Sequence, residues 1–470
     1  MNIKDEKYIV VAGMGKSGLS IARFLKACGH NVVVTDIDPL KKEIGRELEK
    51  EGIKTEIGFH KHETFENAEK IVTSPGIPLD IDCFQRARKN GVSVTGELDL
   101  FFEYIKIPVI AVTGTNGKTT VTTMITGMLK ASGVKVFTGG NIGTPLVDYF
   151  LKKEKADVIV AEVSSFQLDT ADFFKPDVAL LLNITQDHLD RYHGFNEYQA
   201  SKWSIFKNQT SKDTAIINSD LDMNETRINQ IKSETLFFNL KTDKTLSQVP
   251  GDSVVDVKSS TRIKKGAVIE KDRIVIKESD QVIDISGIRL KGMHNKENIA
   301  AASLAVLALG GNVKGIESFL AKFTGLAHRI EYAGTINNIE YYNDSKATNS
   351  DAVIRALESF GNSISLILIM GGKEKNSDFT CLKQVVKKRV KKIIALGEAK
   401  EKIHDALGGI CDFSYADSME QVVDFASKSA VMGDTVLLSP ACASFDMYKS
   451  YSHRGDDFVK YVKKVEKRLG

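Results

Sequence analysis

Pro108-Val109-Ile110-Ala111-Val112-Thr113-Gly114-Thr115-Asn116-Gly117-Lys118-Thr119-Thr120 is the stretch whose reading decides the fold. Its first six residues are mostly apolar and β-branched and read as a buried strand; two glycines and a Lys-Thr pair follow, and a helix-capable segment begins at Val121. Strand, glycine-rich turn and helix in that order are what a nucleoside triphosphate needs. Backbone N–H groups from Gly114 to Thr120 surround the phosphates, Lys118 adds a point charge, and the Thr119 hydroxyl can ligate Mg²⁺. The full P-loop pattern wants a further glycine where this chain has Val112, so the loop is the shorter G-T-N-G-K-T. A turn that binds nothing is the bland alternative, and the joined strand and GKTT disfavour it.

A chain of 470 residues is too long for one core and predicts about three domains. Its 42% apolar and 27% charged content is ordinary for a globular protein. With 64 basic and 61 acidic residues the net charge is only +3, so no field of one sign points to nucleic acid or a membrane surface. Residues 1–7 lack an apolar signal region, and no apolar run approaches a membrane span. The five cysteines (28, 83, 381, 411 and 442) form no C-x-x-C pair, and no histidine cluster has zinc spacing. The expectation is a cytoplasmic protein with reduced thiols.

Within residues 1–105, Tyr8-Ile9-Val10-Val11-Ala12 reads as a strand, Gly13-Met14-Gly15-Lys16-Ser17-Gly18 as a turn, and Leu19 to Cys28 as a helix. A second strand, Val32 to Thr35, ends at Asp36. G-x-G-x-x-G with an acidic residue about 20 positions on is the dinucleotide fingerprint, but its physics serves any nucleotide diphosphate. Ile71-Val72-Thr73 runs into the turn Ser74-Pro75-Gly76-Ile77 at the edge where α/β sheets bind ligands, with a purely structural turn as the competing reading.

From 106 to 325, strands at 108–113, 134–137, 157–162 and 177–183 alternate with helices at 118–131 and 144–152, which predicts a parallel sheet covered on both faces. Strand ends carry the chemistry. Glu162 closes a buried run and is placed as a Mg²⁺ ligand; His188, flanked by Asp187 and Asp190, is placed as a metal or phosphate contact. In Gly139-Gly140-Asn141-Ile142-Gly143, only the Asn141 side chain can grip a polar ligand. Lys202 shares the inward face of a helix with Tyr198, Ile205 and Phe206, with Asn196 as its cap; such a lysine is usually a snorkelling stem. Residues 220–290 read as a peripheral antiparallel appendage. Gly292 to Asn298 opens an alanine-rich helix, 299–309, whose start offers Asn295 and Asn298 to a ligand.

A third α/β unit follows the break at 325–331, with strands at 339–343, 364–370, 393–396 and 435–438 and helices at 350–360, 378–389, 398–407, 417–430 and 453–468. Polar loops follow three of its strands: Asn343 to Asn349, Gly371 to Lys375, and Ser439 to Asp446. Three such loops on one sheet edge describe a ligand rim, and their lysines favour an acidic substrate.

Together GTNGKTT at 114–120, EVSSFQL at 162–168, NITQDHLDRY at 183–192, HNKENIAAA at 294–302, AHRIE at 327–331, NDSKATN at 343–349 and SPACASFDMY at 439–448 resemble the Mur ligases of peptidoglycan synthesis, ATP-dependent amino-acid-adding enzymes, over essentially the whole chain. The last motif is the most discriminating and resembles the D-glutamate-adding branch. The L-alanine-adding branch usually carries GTHGKT, the diaminopimelate- or lysine-adding one a DNPR-type motif, and folylpolyglutamate synthases GTNGKGS; this sequence shows none of them.

The resemblance implies an α/β fold of three domains: a Rossmann-like UDP-binding domain (1–105), a P-loop-type central ATPase domain with a parallel sheet (106–325), and a Rossmann-like C-terminal domain for the amino acid and ATP (326–470). It implies that Gly15, Lys16, Ser17, Gly18, Asp36, Ser74, Pro75, Gly76 and Ile77 hold UDP and not NAD, and that Asn141 and His188 face the substrate and metal region. Two Mg²⁺ ions would be surrounded by Thr119, Glu162, His188 and a carbamylated Lys202, the carbamate turning a cation into an anionic oxygen ligand. Asn295, Arg329 and Asp344 would hold ATP, and Lys346, Thr348, Lys375, Ser439 and Phe445 would shape the D-glutamate site. The GGxxKxxDF frame favours Lys375 over Lys373. Lys118, His188 and Lys202 would carry catalysis, and the partners would be UDP-N-acetylmuramoyl-L-alanine and D-glutamate, on a cytoplasmic monomer. Another Mur ligase, a folate-type ligase and a non-catalytic nucleotide or UDP-sugar sensor are the rival readings; Lys118, Thr119, Glu162, His188 and Lys202, all in place, argue against the sensor.

Overall fold

The computed structural model describes residues 7–153, 155–186, 191–221, 225–240, 265–288, 290, 292–361, 364–374 and 378–469. Runs of buried Val, Ile, Leu and Ala form the centres of three sheets. Strands buried on both faces carry no alternation, and such runs are the mark of parallel sheets covered by helices.

The first sheet has the order Lys54–Ile57, Val32–Asp36, Ile9–Ala12, Lys70–Thr73, Ser93–Gly96, all parallel. The strand order reverses between Ile9–Ala12 and Lys70–Thr73, so the loops after these two strands, Gly13 to Gly18 and Ser74 to Ile77, flank the crevice where open sheets bind ligands. Gly13 turns at φ +99°, and its N–H donates to Thr35 O at 2.7 Å. A Cβ on Gly18 would lie 1.9 Å from Gly13 O, so this glycine lets the helix Lys16–Ala27 seat on the turn. That helix starts three residues earlier than the sequence reading placed it.

The second sheet has nine strands in the order Gln281–Asp284, Arg273–Ile276, Gly266–Ile269, Glu234–Leu240, Thr214–Asn218, Val178–Leu181, Val109–Thr113, Val158–Glu162, Val136–Gly140. Pairings from Gly266–Ile269 to Val136–Gly140 are parallel, whereas Arg273–Ile276 and Gln281–Asp284 join at the other edge by antiparallel pairing. The stretch read as an appendage is therefore antiparallel in part, but it continues the central sheet and is not separate from it. The helix expected at 144–152 is only Asp148–Leu151, because Glu97 takes the N–H groups of Leu146 and Val147 and holds that segment as a turn. The helix Phe195–Trp203 begins at Gly194, and Asn196 lies inside it instead of capping it. The predicted helix 378–389 is a 3₁₀ turn, Thr380–Leu382, followed by Lys383–Arg389.

The third sheet runs Glu331–Ile336, Ile339–Asn343, Asp434–Leu438, Ser365–Gly371, Val390–Leu396, Asp412–Ala416, with only the first pair antiparallel. Its three central strands deliver the three polar loops to one edge. The first two sheets belong to one packed unit with a shared apolar core, and the third belongs to a second unit. Gly18→Ala should cost on the order of 1–3 kcal/mol through overpacking, whereas Gly15→Ala, with nothing within 4 Å of its Cβ, should leave stability unchanged; denaturant unfolding of the two variants checks the contrast.

Candidate active site

The strand Val109–Thr113 lies between Val178–Leu181 and Val158–Glu162, in a register that pairs Thr113 with Leu181 and Val112 with Glu162. This places Asn183 and Glu162 on either side of the loop that leaves Thr113. Asn183 clamps the loop: its carbonyl accepts from Thr115 N at 2.9 Å, its Oδ1 from Asn116 N at 2.8 Å, and its Nδ2 donates to Asn116 O at 3.0 Å. Gly114 and Gly117 adopt φ +152° and +86°, and Cβ atoms there would meet Leu182 at 3.0 Å and Asn298 at 2.8 Å, so only glycine fits this tightly held turn. Gly117 then caps the helix Lys118–Ala131, whose first-turn N–H groups make an anion site.

Two ammonium groups converge on this loop. Lys118 Nζ donates to Gly114 O at 2.7 Å and to Thr115 O at 2.8 Å, and Lys202 Nζ donates to the same Gly114 O at 3.0 Å. Lys202 is 2% exposed and sits 4.6 Å from the Tyr198 ring centroid, so its head group is buried and the side chain is not a snorkelling stem. Tyr198 OH lies 3.0 Å from Thr115 Oγ1.

Glu162 is 1% exposed. Its Oε1 accepts from Asn141 Nδ2 at 2.9 Å, while its Oε2 is buried with no hydrogen-bond partner among the described residues. An orphaned carboxylate oxygen in the interior is costly. Such an oxygen donor suits a hard, oxygen-seeking ion such as Mg²⁺, and Thr119, in the first turn of Lys118–Ala131, carries a hydroxyl of the same donor chemistry. His188 lies outside the described residues, so its part in such a site has no geometry here.

Asn141 also lines a cleft of about 400 Å³ with Lys16, Ser17, Pro75, Gly140, Ile142, Gly143, Pro145 and Gln167. The structure thus brings the glycine-rich turn of the first sheet and the Asn141 loop of the second to one cavity, with Lys16 Nζ donating to Gly143 O. Asp36 accepts from Met14 N at 2.6 Å and Asp38 N at 2.9 Å, so its carboxylate braces the turn. Beneath the cleft, the buried Glu97 accepts from Leu146 N at 2.5 Å and from the Ser17 hydroxyl; desolvation pushes it up to about 7. Nothing in the sequence around Glu97 marks it, since its partners lie about 50 residues away. Asn183 opens the motif NITQDHLDRY without any local sign of its role, and only the strand register reveals its work.

In the second unit, Asp344 is buried and accepts from Ser439 Oγ at 2.9 Å and from Ile330 N at 3.3 Å. Desolvation raises it to about 7, against the pull of Ser439 and Arg329. Asn295 follows His294, whose ring burial, with Arg355 and Arg329 nearby, lowers to about 4. Lys346 Nζ lies 3.7 Å from the Tyr451 ring centroid, Thr348 is half-buried, and Phe445 is 67% exposed at the rim. Lys375 lies outside the described residues, whereas Lys373 bonds through its backbone to Ala443.

Three family descriptions match in chain order: Mur ligase MurD-like, N-terminal domain, at 7–96; Mur ligase middle domain at 112–306; and Mur ligase, glutamate ligase domain, at 328–442. The chain belongs to the Mur ligase family. It is 44% identical to the UDP-N-acetylmuramoylalanine–D-glutamate ligase of Desulfosudis oleivorans, over 98% of this chain and 97% of that one, and 42% identical to the protein of the same name from Desulfatibacillum aliphaticivorans, over 98% and 99%. Among solved structures it shares its fold with a pseudomurein peptide ligase type C from Methanothermus fervidus (TM-score 0.59, 20% identity, 99% and 100% covered) and with the UDP-N-acetylmuramate-alanine ligase of Thermotoga maritima (TM-score 0.56, 18% identity, 97% and 99% covered).

The raised Glu97 has a defined pH signature. A carboxyl at about 7 in the fold and 4.5 when free binds the folded state's proton more tightly, so its contribution is full below 4.5 and lost as pH rises through 7. Glu97→Gln keeps an acceptor for Leu146 and should remove a fall in stability on the order of 2–3 kcal/mol between those limits, as read by denaturant midpoints of both proteins across that range.

Proposed function

We propose that this chain joins D-glutamate to UDP-N-acetylmuramoyl-L-alanine at the expense of ATP, in the synthesis of peptidoglycan precursors. The observation that carries this reading is its similarity along the whole chain to ligases of that name, with the phosphate-binding loop intact. The sugar-nucleotide carboxylate attacks the γ-phosphate to give an acyl phosphate and ADP; the amine of D-glutamate then displaces phosphate through a tetrahedral intermediate. Both steps bring anions together, so cationic and dipolar groups must already be in place. The N–H groups of the 114–120 loop and Lys118 bind and orient the phosphates. Mg²⁺ at Thr119, Glu162 and His188 would supply further charge neutralisation. Lys16, Ser17 and Asn141 on the shared cleft hold the UDP-linked substrate, with Gly15, Gly18, Asp36, Ser74 and Gly76 behind them. Asn295, Arg329 and Asp344 hold ATP, and Lys346, Thr348, Lys375, Ser439 and Phe445 receive the amino acid. The enzyme works as a cytoplasmic monomer.

Lys202 is assigned as a carbamate. Two ammonium groups on one carbonyl repel; a carbamate at Lys202 would replace that repulsion by attraction to Lys118 and add an oxygen ligand for a second metal ion. Phosphate release with UDP-N-acetylmuramoyl-L-alanine and a panel of amino acids should single out D-glutamate; a preference for another amino acid would sink the assignment. Lys118→Ala should abolish ATP-dependent ligation while leaving binding of the UDP substrate largely intact. Lys202→Ala should lose activity and recover part of it in short carboxylic acids, and absence of rescue would count against the carbamate.

A further inference from the structure

Arg454, in the first turn of the helix Tyr451–Leu469, is almost wholly buried. Its Nε donates to Ser345 Oγ at 2.9 Å; Nη2 donates to Ser345 O at 2.8 Å and Cys442 O at 3.0 Å; Nη1 donates to Gly371 O at 3.2 Å and Ala443 O at 3.3 Å. Four of these acceptors are carbonyls and one is a hydroxyl. They belong to three loops, 343–349, the end of Ser365–Gly371, and 439–446, which leave three adjacent strands of the third sheet. Burial lowers the guanidinium to about 10, which leaves it charged at neutral pH.

The surroundings are cut to fit this fork. A Cβ on Gly372 would lie 2.2 Å from Ala443 O and 2.8 Å from Arg454 Nη1, and one on Gly455 would lie 2.4 Å from His328 Nδ1. The same helix end takes further bonds from the first loop: Ser345 Oγ donates to Tyr451 O at 2.8 Å and Asn343 Nδ2 to Gly455 O at 3.3 Å. A planar guanidinium with five fixed donors can span three loops at once, and a lysine ammonium cannot.

We propose that Arg454 is the positioning residue of the amino-acid rim: it contacts no substrate, and it fixes the spacing of the loops that carry Asp344, Lys346, Thr348, Ser439 and Phe445. The assignment of those residues to D-glutamate and ATP rests on the functional reading above. A helix that follows the third loop closely but lies 83 and 109 positions from its partners in the other two thereby sets the geometry of the second substrate's site, while the UDP-substrate cleft is lined by residues of the other unit.

The test uses the full chain with Arg454→Lys, Arg454→Ala and, as a milder variant that keeps the guanidinium, Ser345→Ala. In Arg454→Lys, hydrogen exchange at 343–349, 371–374 and 439–446 should accelerate together by about tenfold or more, with the strand Val109–Thr113 unchanged. The KM for D-glutamate should rise by about tenfold or more, with the KM for the UDP substrate within roughly twofold of wild type. Ser345→Ala should shift both readouts in the same direction by less, and Arg454→Ala should regain activity in dilute guanidinium. Acceleration confined to the helix, or an unchanged KM for D-glutamate in Arg454→Lys, overturns the proposal. A wild-type protein inert with D-glutamate overturns the functional reading instead, and the exchange pattern still decides the role of Arg454.

Discussion

One carbonyl oxygen, that of Gly114, accepts from the ammonium groups of both Lys118 and Lys202, and the nucleotide loop takes its shape around that point. The arrangement demands a backbone that turns at φ +152°, which only glycine tolerates, and neighbours that hold the turn against the repulsion of two like charges. Asn183 supplies the hold with three hydrogen bonds, and Tyr198 adds a contact to Thr115. A buried polar network of this kind is stabilising only when its members are satisfied. A carboxylate oxygen left without a partner among the described residues, Oε2 of Glu162, is therefore informative.

The same device recurs at the carboxyl edge of each sheet. In the first, Asp36 reaches across from the neighbouring strand to Met14 and fixes the glycine turn. In the third, Ser439 and Asp344 join loops from adjacent strands, with Arg454 beneath them. Parallel strands put their loops on one edge as a matter of topology; cross-strand side chains then convert a set of neighbouring loops into a surface of defined shape. Ligand contacts can then be made by exposed groups such as Phe445 without those groups having to order the loops themselves.

What the sequence disclosed follows from this division of labour. The fold was legible where strands are buried on both faces, as at Val109–Thr113 and Val158–Glu162, because the apolar run and the turn chemistry agree. It was obscure at Lys54–Ile57, an edge strand whose polar residues carry no buried pattern, and at 220–290, where short alternating pieces do not tell which sheet they join. The strand-end position of Glu162 and the place of Lys118 in the glycine-rich turn were legible from the local pattern, whereas the role given to Asp344 came from the family resemblance. The inward face of Lys202 was readable from helical spacing, but its bond to Gly114 was not. Glu97, Asn183 and Arg454 act through partners distant in the chain, and no local pattern encodes a contact of that kind.

The distances along the chain at the Gly114 loop have a consequence for biosynthesis. Every strand of the first sheet is complete once residue 96 has been made, so that half of its core can collapse on local contacts as the chain emerges. The nucleotide loop follows after one helix and one strand, Glu97–Tyr104 and Val109–Thr113, yet the groups that lock it, Asn183, Tyr198 and Lys202, are separated from their partners by 67, 83 and 88 positions. During synthesis the loop therefore exists for some 80 residues of elongation without the contacts that define it. A nascent chain gains a nucleotide grip late, when the four strands that surround the loop, Val109–Thr113, Val136–Gly140, Val158–Glu162 and Val178–Leu181, are already present to make that grip useful.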